Sequence, residues 1–181
     1  MTPLKIYTDG ACSGNQSEEN IGGWGAILEY GVHKKEIFGG EINTTNNRME
    51  MTALLRGFEA VKKDNQLIEV FSDSAYLVNC FKEKWYEKWR MNGWKTANKQ
   101  PVENKDLWES LLPHLDTHNI KFYRVRGHIN LAGKKDIGKL HNEFLETNTD
   151  AFTLDEFKYI VEMNNRADAL ANAGILSMKQ E

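Results

Sequence analysis

The first 43 residues of the chain alternate apolar and polar side chains in three short segments, and glycine-containing turns separate these segments. The segments read PLKIYTDGAC, GGWGAILEYG and HKKEIFGGEIN. A period of two is typical of a β-strand with one buried face, and turns this short join strands that run in opposite directions. Residues 3–43 therefore predict three consecutive antiparallel strands, to which the rest of the chain must add.

The remaining sequence predicts helices that alternate with two further strands. Apolar residues recur every three or four positions over residues 47–63, which is typical of a helix of about four turns. Short apolar runs at IEVFSDS and NIKFYRVRGH predict buried strands, and helical spacing returns in SAYLVNCFKEKW, in residues 101–115 and in NNRADALANAG. This order of elements predicts an α/β fold with a mixed five-stranded sheet and helices on its faces.

Size and composition predict one globular domain that spans residues 1–181. The 181 residues are 40% hydrophobic and 27% charged, and no apolar run approaches the roughly 18 residues that a membrane-spanning helix needs. The start of the chain lacks the basic and apolar stretches of a signal peptide, so we expect a cytoplasmic monomer without membrane contacts. Cys12 and Cys80 have no metal-ligand spacing around them, and we expect both to be free thiols.

The charge of the chain restricts where it can bind a nucleic acid. The net charge is −3, from 23 basic and 26 acidic residues, so such a site has to be a local patch. Residues 82–99 contain six basic residues and two acidic ones. Within this segment Trp85, Trp89 and Trp94 recur after four and five positions, which suits the apolar face of a helix as well as a surface that packs on a nucleic acid.

Acidic residues lie where ligands of α/β proteins are often bound. Asp9 and Asp73 end apolar strands, and ligands of open sheets bind at the carboxyl ends of neighbouring strands. Glu50 falls in the first turn of a predicted helix, and Asp168 falls in the last one. Each acid also has an ordinary explanation, as a turn residue, a helix cap, a partner of the helix dipole or a solvated side chain. Clustered carboxylates would repel one another and therefore predict bound cations, of which oxygen ligands favour Mg²⁺ or Mn²⁺.

Four uncharged polar residues, TTNN at positions 44–47, lead directly into the first predicted helix. One of them, Thr45 or Asn46, is expected to cap the helix by accepting a hydrogen bond from a backbone N–H group. A cap needs only one residue. The remaining hydroxyl and amide groups can both donate and accept hydrogen bonds, which suits a ligand with phosphate and hydroxyl oxygens.

Several motifs occur together along the chain: YTDGACSGN, TTNNRMEMTAL, SDSAYL, KEKWYEKWRMNGWKTANKQPVENKDLW, VRGH and NNRADALA. In this order and spacing they resemble type 1 ribonuclease H, over nearly all of residues 3–128 and over residues 164–174. The resemblance implies a ribonuclease H-like sheet in the order 3-2-1-4-5. It also implies hydrolysis of the RNA strand of RNA/DNA hybrids by two Mg²⁺ ions, for which Mn²⁺ can substitute, with 5′-phosphate and 3′-hydroxyl ends.

The resemblance further implies roles for individual residues. The metal-binding carboxylates would be those of Asp9, Glu50, Asp73 and Asp168, with Asp9 contacting both ions. His128 matches the family's flexible-loop histidine, which is expected to assist proton transfer or product release. The residues expected to bind the hybrid, through its minor groove and its phosphates, are Gly10, Asn15, Thr45, Asn46, Asn47, Trp85, Lys88, Trp89, Arg90, Trp94 and Lys95.

Two alternative functions fit the same fold. A non-catalytic module that binds RNA/DNA hybrids would have lost at least one of the four acids, and all four are present. A transposase or resolvase of the wider superfamily would lack the TTNNRME run and the tryptophan-rich basic segment, and both are present. The leading interpretation is therefore a catalytically active endoribonuclease.

Residues 129–163 separate His128 from Asn164 where relatives have only a few residues, and we interpret them as a helical insertion. TLDE at 153–156 is a capping box, which predicts a helix that begins near Leu154 and ends near Ala173, with Gly174 just beyond. Ile137, Leu140, Phe144 and Leu145 predict a shorter helix that folds back on it. Because four basic residues face seven acidic ones in this segment, we expect it to pack on its own domain or meet a protein partner, and not to grip the hybrid.

Overall fold

The alternating segments at the start of the chain form three of the five strands of the sheet. The computed structural model describes residues 2–14, 19–133 and 136–179. The described strands are β1 (Leu4–Ser13), β2 (Ile21–Tyr30), β3 (His33–Ile42), β4 (Leu67–Ser72) and β5 (Asn119–Arg124). The described helices are α1 (Asn46–Glu59), α2 (Ala75–Lys82), α3 (Trp85–Met91), α4 (Lys105–Thr117), α5 (Ile137–Asn148) and α6 (Leu154–Lys179).

The strand order is β3-β2-β1-β4-β5, which confirms the predicted topology. β1 pairs antiparallel with β2, and β2 pairs antiparallel with β3. The pairs β1–β4 and β4–β5 are parallel, so three strands end at the same edge of the sheet. Thr8 in β1 lies opposite Ser72 in β4. The register therefore brings Asp9, the next residue of β1, to the same level as Asp73, which directly follows β4.

Helices cover both faces of the sheet, as predicted. On one face, Ile6, Ile68 and Val70 pack against apolar residues of α1, α2 and α4, with Trp108 fully buried among them. On the other face, aromatic residues of β1, β4 and β5 stack with ring centroids 5.1 and 5.2 Å apart: Tyr7, Phe71 and Tyr123. α5 and α6 pack on this aromatic layer.

The start of α1 fits the predicted cap, and its end does not fit the predicted length. Thr45 accepts a hydrogen bond from the Arg48 N–H group at 3.1 Å, as an N-cap residue does. The helix ends at Glu59, four residues before the predicted boundary at 63. The prediction was wrong because Val61 still packs on the core after the helix has ended, in a turn that its N–H group closes on the Phe58 carbonyl at 3.0 Å.

The segment SAYLVNCFKEKW forms two helices and not the single helix that its spacing predicts. α2 ends at Lys82, and Lys84 adopts a left-handed backbone with a φ of 54° before α3 begins. The next helix, α4, begins at Lys105 instead of residue 101. Pro101 precedes it because it forms an isolated β-bridge with Lys95, which closes the loop between α3 and α4.

α6 begins as the sequence predicts and runs further than predicted. The Glu156 N–H group donates to the Thr153 hydroxyl at 3.1 Å, and the Thr153 N–H group donates to the Glu156 carboxylate at 2.9 Å. The helix passes through Gly174 to Lys179, so Gly174 does not end it. A Cβ atom at Gly174 would lie 2.0 Å from the carbonyl oxygen of Gly39. This glycine therefore serves the close approach of α6 to β3.

The segment interpreted as an insertion packs on its own domain. Leu140 and Phe144 of α5 are buried beside Phe157 of α6 and Tyr123 of β5. Asn148 at the end of α5 hydrogen-bonds the β5 backbone at 2.8 and 2.9 Å. No helix in the described part of the chain combines the length and the hydropathy that crossing a membrane requires.

We expect Thr153→Ala to lower the free energy of unfolding by about 1 kcal/mol, because the substitution removes the hydroxyl that caps α6. Urea denaturation checks this. Thr147→Ala is the matched control, since Thr147 is exposed within α5 and makes no side-chain hydrogen bond to the described residues. Equal urea midpoints for the two variants would mean that the capping box of Thr153 and Glu156 does not stabilise α6.

Candidate active site

Asp9 and Asp73 lie side by side where the parallel pairing of β1 with β4 ends. β1 itself continues to Ser13, so Asp9 does not end the strand as the sequence predicted, because the antiparallel pairing with β2 extends further. The alternative role of Asp73, as the cap of α2, is excluded because Ser74 fills it: the Leu77 N–H group donates to the Ser74 hydroxyl at 3.1 Å. The Asp73 carboxylate is thus free of a local structural role. The fold has placed two acids where neighbouring parallel strands open towards a ligand.

Glu50 reaches the same place from the second turn of α1, and not from the first turn as the sequence predicted, because the helix begins at Asn46. It is 7% exposed, and its Oε1 accepts a hydrogen bond from the Gly10 N–H group at 3.0 Å. Its Oε2 is buried and has no hydrogen-bond partner among the described residues. Gly10 permits this approach because a Cβ atom there would lie 2.4 Å from the Glu50 backbone nitrogen.

The three carboxylates form one cluster. Asp9, Glu50 and Asp73 each present a ligand oxygen within 4.8 Å of the others. Burial, followed by the charge of Asp73, raises the pKa of Asp9 to about 8. Burial also raises the pKa of Glu50 well above its usual range, and it raises the pKa of Asp73. Such a cluster stays ionised at neutral pH only when positive charge is brought to it.

The cluster fits hard divalent cations. Its ligands are oxygen atoms alone, they converge on one point, and the buried Oε2 of Glu50 lacks the partner that a buried carboxylate oxygen requires. The positive side chain that affects it is His128, whose charge lowers the pKa of Asp73 against the effect of burial. A single imidazole cannot neutralise several carboxylates, so the donor set matches a metal site.

Asp168 on α6 lies near the cluster but is not among the three acids whose oxygens lie within 4.8 Å of one another. It raises the pKa of Asp9 through hydrogen bonding and through its charge, and its charge also raises the pKa of Asp73. α6 can lie this close because β2 presents glycines to it. A Cβ atom at Gly23 would lie 1.9 Å from the Ala171 carbonyl oxygen, and one at Gly25 would lie 2.7 Å from the Ala167 carbonyl oxygen.

The loop after β5 brings His128 to the cluster. His128 is exposed, has a left-handed backbone with a φ of 59°, and follows Gly127. A Cβ atom at Gly127 would lie 2.6 Å from Oδ2 of Asp73. The Asn165 side chain on α6 donates a hydrogen bond to the Ile129 carbonyl at 2.9 Å, which ties the loop to the helix that carries Asp168. Sequence reasoning missed Gly127 and Asn165, because only the tertiary contact gives them a role.

The four polar residues at positions 44–47, where α1 begins, have different roles. Thr44 is buried, and its backbone N–H and carbonyl groups both hydrogen-bond the Asn20 side chain at 2.8 Å. Thr45 caps the helix, while Asn46 and Asn47 expose their side chains beside the cluster-bearing end of α1. Two amides are thus free for a ligand, as the pattern predicts. Asn15, also expected to contact substrate, lies outside the described residues.

Arg48 is a third residue whose role the sequence did not indicate. It forms hydrogen bonds of 3.0 and 2.9 Å to both carboxylate oxygens of Asp106, and one of 3.2 Å to the Asn104 side chain. The pair is bidentate, a geometry that fixes orientation as well as distance. The N-terminus of α1 is thereby tied to the start of α4.

The basic segment stands out from the core on α3 and the loop that follows. Trp85 is 36% exposed, whereas Trp89 and Trp94 are partly buried against the core. The Trp89 ring meets that of Trp108 edge-on, with centroids 5.4 Å apart. Two tryptophans therefore hold the shape of the segment, and all six of its basic residues are exposed, among them Lys88, Arg90 and Lys95.

Comparison with known proteins decides the family. Residues 1–145 match the family described as RNase H. The chain belongs to the RNase H family. A ribonuclease H of Chlorobaculum parvum is 52% identical over 69% of this chain and 83% of its own length. A ribonuclease H of Acetivibrio thermocellus is 45% identical over 82% of this chain and 99% of its own length. This RNase H family member is accordingly an enzyme of the hydrolase class.

Solved structures share the fold. The crystal structure of LC9-RNase H1, a type 1 RNase H with the type 2 active-site motif, has a TM-score of 0.62 and 27% identity over 82% of this chain and 72% of that one. The solution structure of the PFV RNase H domain has a TM-score of 0.64 at 22% identity and covers 97% of this chain and 96% of that chain. The RNase H fold therefore extends across α5 and α6.

We expect Gly127→Ala to lower ribonuclease H activity by about tenfold or more, because the new methyl group would displace the Asp73 carboxylate and a small displacement in an active site is costly. Initial rates at saturating Mg²⁺ check this. Gly138→Ala is the matched control, since its Cβ atom first meets the flexible Asp136 carboxylate at 3.3 Å, away from the cluster. Equal rates for both variants would show that the loop does not position Asp73.

Proposed function

We propose that this member of the RNase H family is an endoribonuclease that hydrolyses the RNA strand of RNA/DNA hybrids. The observation that carries the proposal is the cluster of two buried carboxylates and one half-buried carboxylate where the parallel pairing of β1 and β4 ends. Family membership supports it, since the relatives that the chain matches are ribonucleases H. The substrate would lie across this end of the sheet, between the exposed amides at the start of α1 and the basic segment.

Asp9, Glu50, Asp73 and Asp168 would hold two Mg²⁺ ions, with Mn²⁺ as a substitute. When bound, such ions activate the attacking water and stabilise the leaving 3′ oxygen, which gives 5′-phosphate and 3′-hydroxyl ends. The Gly10 N–H group fixes one oxygen of Glu50 and leaves the other free. The His128 imidazole, at the exposed end of its loop, would exchange a proton with the reacting oxygens or assist product release.

The chain's own polar groups would distinguish RNA from DNA. An RNA strand differs by its 2′-hydroxyl groups, which a shallow minor groove presents to a protein. The Asn46 and Asn47 amides are exposed and can both donate to and accept from these hydroxyls. The Thr45 hydroxyl accepts from the Arg48 N–H group and keeps its own hydrogen for donation. Gly10, which is also expected to contact the hybrid, lies beside the Glu50 carboxylate, to which its N–H group donates a hydrogen bond.

The basic segment would bind the DNA strand. Lys88, Arg90 and Lys95 are exposed, and the Trp85 face is partly open, so phosphates and sugars can be reached together. Trp89 and Trp94 would contribute by keeping the segment in place. Action as a cytoplasmic monomer, and a protein partner for residues 129–163, stay predictions from the sequence.

We expect Asp9→Asn to abolish cleavage and to leave hybrid binding within a few-fold, because the lost charge serves the cations while the amide keeps the shape of the site. Cleavage of a hybrid labelled on its RNA strand and anisotropy measurements of binding with a chelator present check both parts. Asp155→Asn, at an exposed acid in the first turn of α6, is the control and should cleave normally. Wild-type rates in the Asp9 variant would refute the metal assignment and leave a hybrid-binding module as the alternative.

Replacing Lys88, Arg90 and Lys95 together by glutamine should weaken hybrid binding and flatten its salt dependence. Each phosphate that the variant no longer neutralises should lower the log–log slope by about 0.9. Binding titrations over a series of KCl concentrations measure this slope. Replacing Lys62, Lys63 and Lys158, which are exposed elsewhere, removes the same charge and serves as the control. A larger drop of the slope in the control would place the hybrid on another surface.

A further inference from the structure

β5 leaves one side of its backbone open because it is the last strand of the sheet. The Asn119 N–H group donates to the Gln66 carbonyl, and the Val125 N–H group donates to the Ser72 carbonyl, both at 2.9 Å. Odd-numbered residues of β5 thus direct their backbone groups towards β4. Since these groups alternate along a strand, the even-numbered residues direct theirs away from the sheet.

One of these outward-facing residues is already paired by a side chain. The Arg124 N–H group donates to Oδ1 of Asn148 at 2.8 Å, and the Arg124 carbonyl accepts from Nδ2 of Asn148 at 2.9 Å. The amide of Asn148 thereby imitates one residue of a sixth strand. The outward groups of Ile120 and Phe122 make no hydrogen bond to any described residue. The outward backbone groups of Ile120 and Phe122 therefore remain open, next to Arg124, whose backbone already pairs with a peptide-like amide.

A groove of about 520 Å³ runs along this open edge. Lys82 and Lys84 line it on the side of α2, Lys121 lines it on the strand itself, and Asp150 is the acid among its lining residues. Within the part of the chain that the structure describes, none of the three lysines forms a salt bridge. Burial lowers the pKa of Lys82, so its ammonium lacks full compensation from water or a carboxylate.

We propose that the β5 edge is a docking site for an extended acidic peptide segment of a partner protein, which adds to the sheet as a sixth strand. Strand addition provides main-chain hydrogen bonds to Ile120 and Phe122, and the lysines select acidic side chains. The lysines stand on both sides of β5, because Lys121 shares the α5 face with Tyr123 while Lys82 follows Phe81 on the opposite face. Acidic side chains on either face of the added strand would therefore meet a lysine.

A nucleic acid fits this edge less well than a peptide. Phosphates can pair with the lysines, but a sugar-phosphate backbone does not reproduce the alternating donors and acceptors that Ile120 and Phe122 present. The open backbone is thus the feature that favours a protein segment.

The test uses the full chain and a blocked peptide of alternating glutamate and valine, six residues long to match β5. Titration followed by ¹H–¹⁵N spectra should shift the amide signals of Ile120 and Phe122 in a saturable manner. A peptide that is N-methylated at alternate residues, and one with lysine in place of glutamate, should bind at least tenfold more weakly. No shift at the two amides, or equal binding of the N-methylated peptide, would overturn the proposal.

Lys121→Glu supplies the matching change in the protein. It should weaken binding of the acidic peptide by about tenfold and leave hybrid cleavage within twofold, since Lys121 lies on the sheet edge and not in the proposed site. Retained cleavage also shows that the variant is folded. A short RNA/DNA hybrid is the competitor, added to the variant in which Lys88, Arg90 and Lys95 are replaced by glutamine so that binding at the basic segment is weakened. If the hybrid still displaces the acidic peptide from the Ile120 and Phe122 amides, the groove binds nucleic acid and the proposal is wrong.

Discussion

Mutual repulsion among buried carboxylates is the constraint on which the arrangement of this chain depends. Asp9, Glu50 and Asp73 present oxygens within 4.8 Å of one another, and burial already disfavours their charged forms. Removing a carboxylate from water without a partner is costly, and like charges nearby add to that cost. A fold that tolerates this must gain enough stability elsewhere, and it must admit cations at this one point.

Two hydrophobic cores, one on each face of the sheet, stabilise the fold. Glycines allow the helices that carry the acids to lie close to the strands. Gly10 lets α1 carry Glu50 against β1, while Gly23 and Gly25 let α6 carry Asp168 against β2. In each case the helix backbone lies where a Cβ atom would be. The site is therefore assembled by backbone contacts between elements, and the carboxylates themselves need no flexible loops to meet.

Much of this could be predicted from the sequence, since its signals are local. The alternation of apolar and polar residues predicted the three antiparallel strands. The position of Asp9 and Asp73 after apolar runs predicted the end of the sheet at which the candidate site lies. The capping box that begins at Thr153 predicted the start of α6. Close contacts between distant elements could not be predicted in this way. Gly174 was expected to end α6, because a glycine that ends a helix and one that packs against a neighbouring strand look alike in one sequence.

For the same reason, the sequence could not predict the break between α2 and α3, nor the roles of Asn165 and Arg48. A left-handed lysine at position 84 violates ordinary residue preferences, so no local rule would place a boundary there. Asn165 gains its role only when α6 lies beside the loop that carries His128. Arg48 pairs with Asp106, 58 positions further along the chain.

The course of α5 and α6 has a practical consequence for anyone who would shorten this protein. The family match ends at residue 145, inside α5, which runs to Asn148. A chain trimmed at that boundary would lack all of α6, including the buried residues Phe157, Ile160 and Val161 that cover the aromatic layer. It would also lack Asp168. The limit of sequence similarity is thus no guide to the smallest unit that can fold, and a minimal enzyme has to keep residues well beyond it.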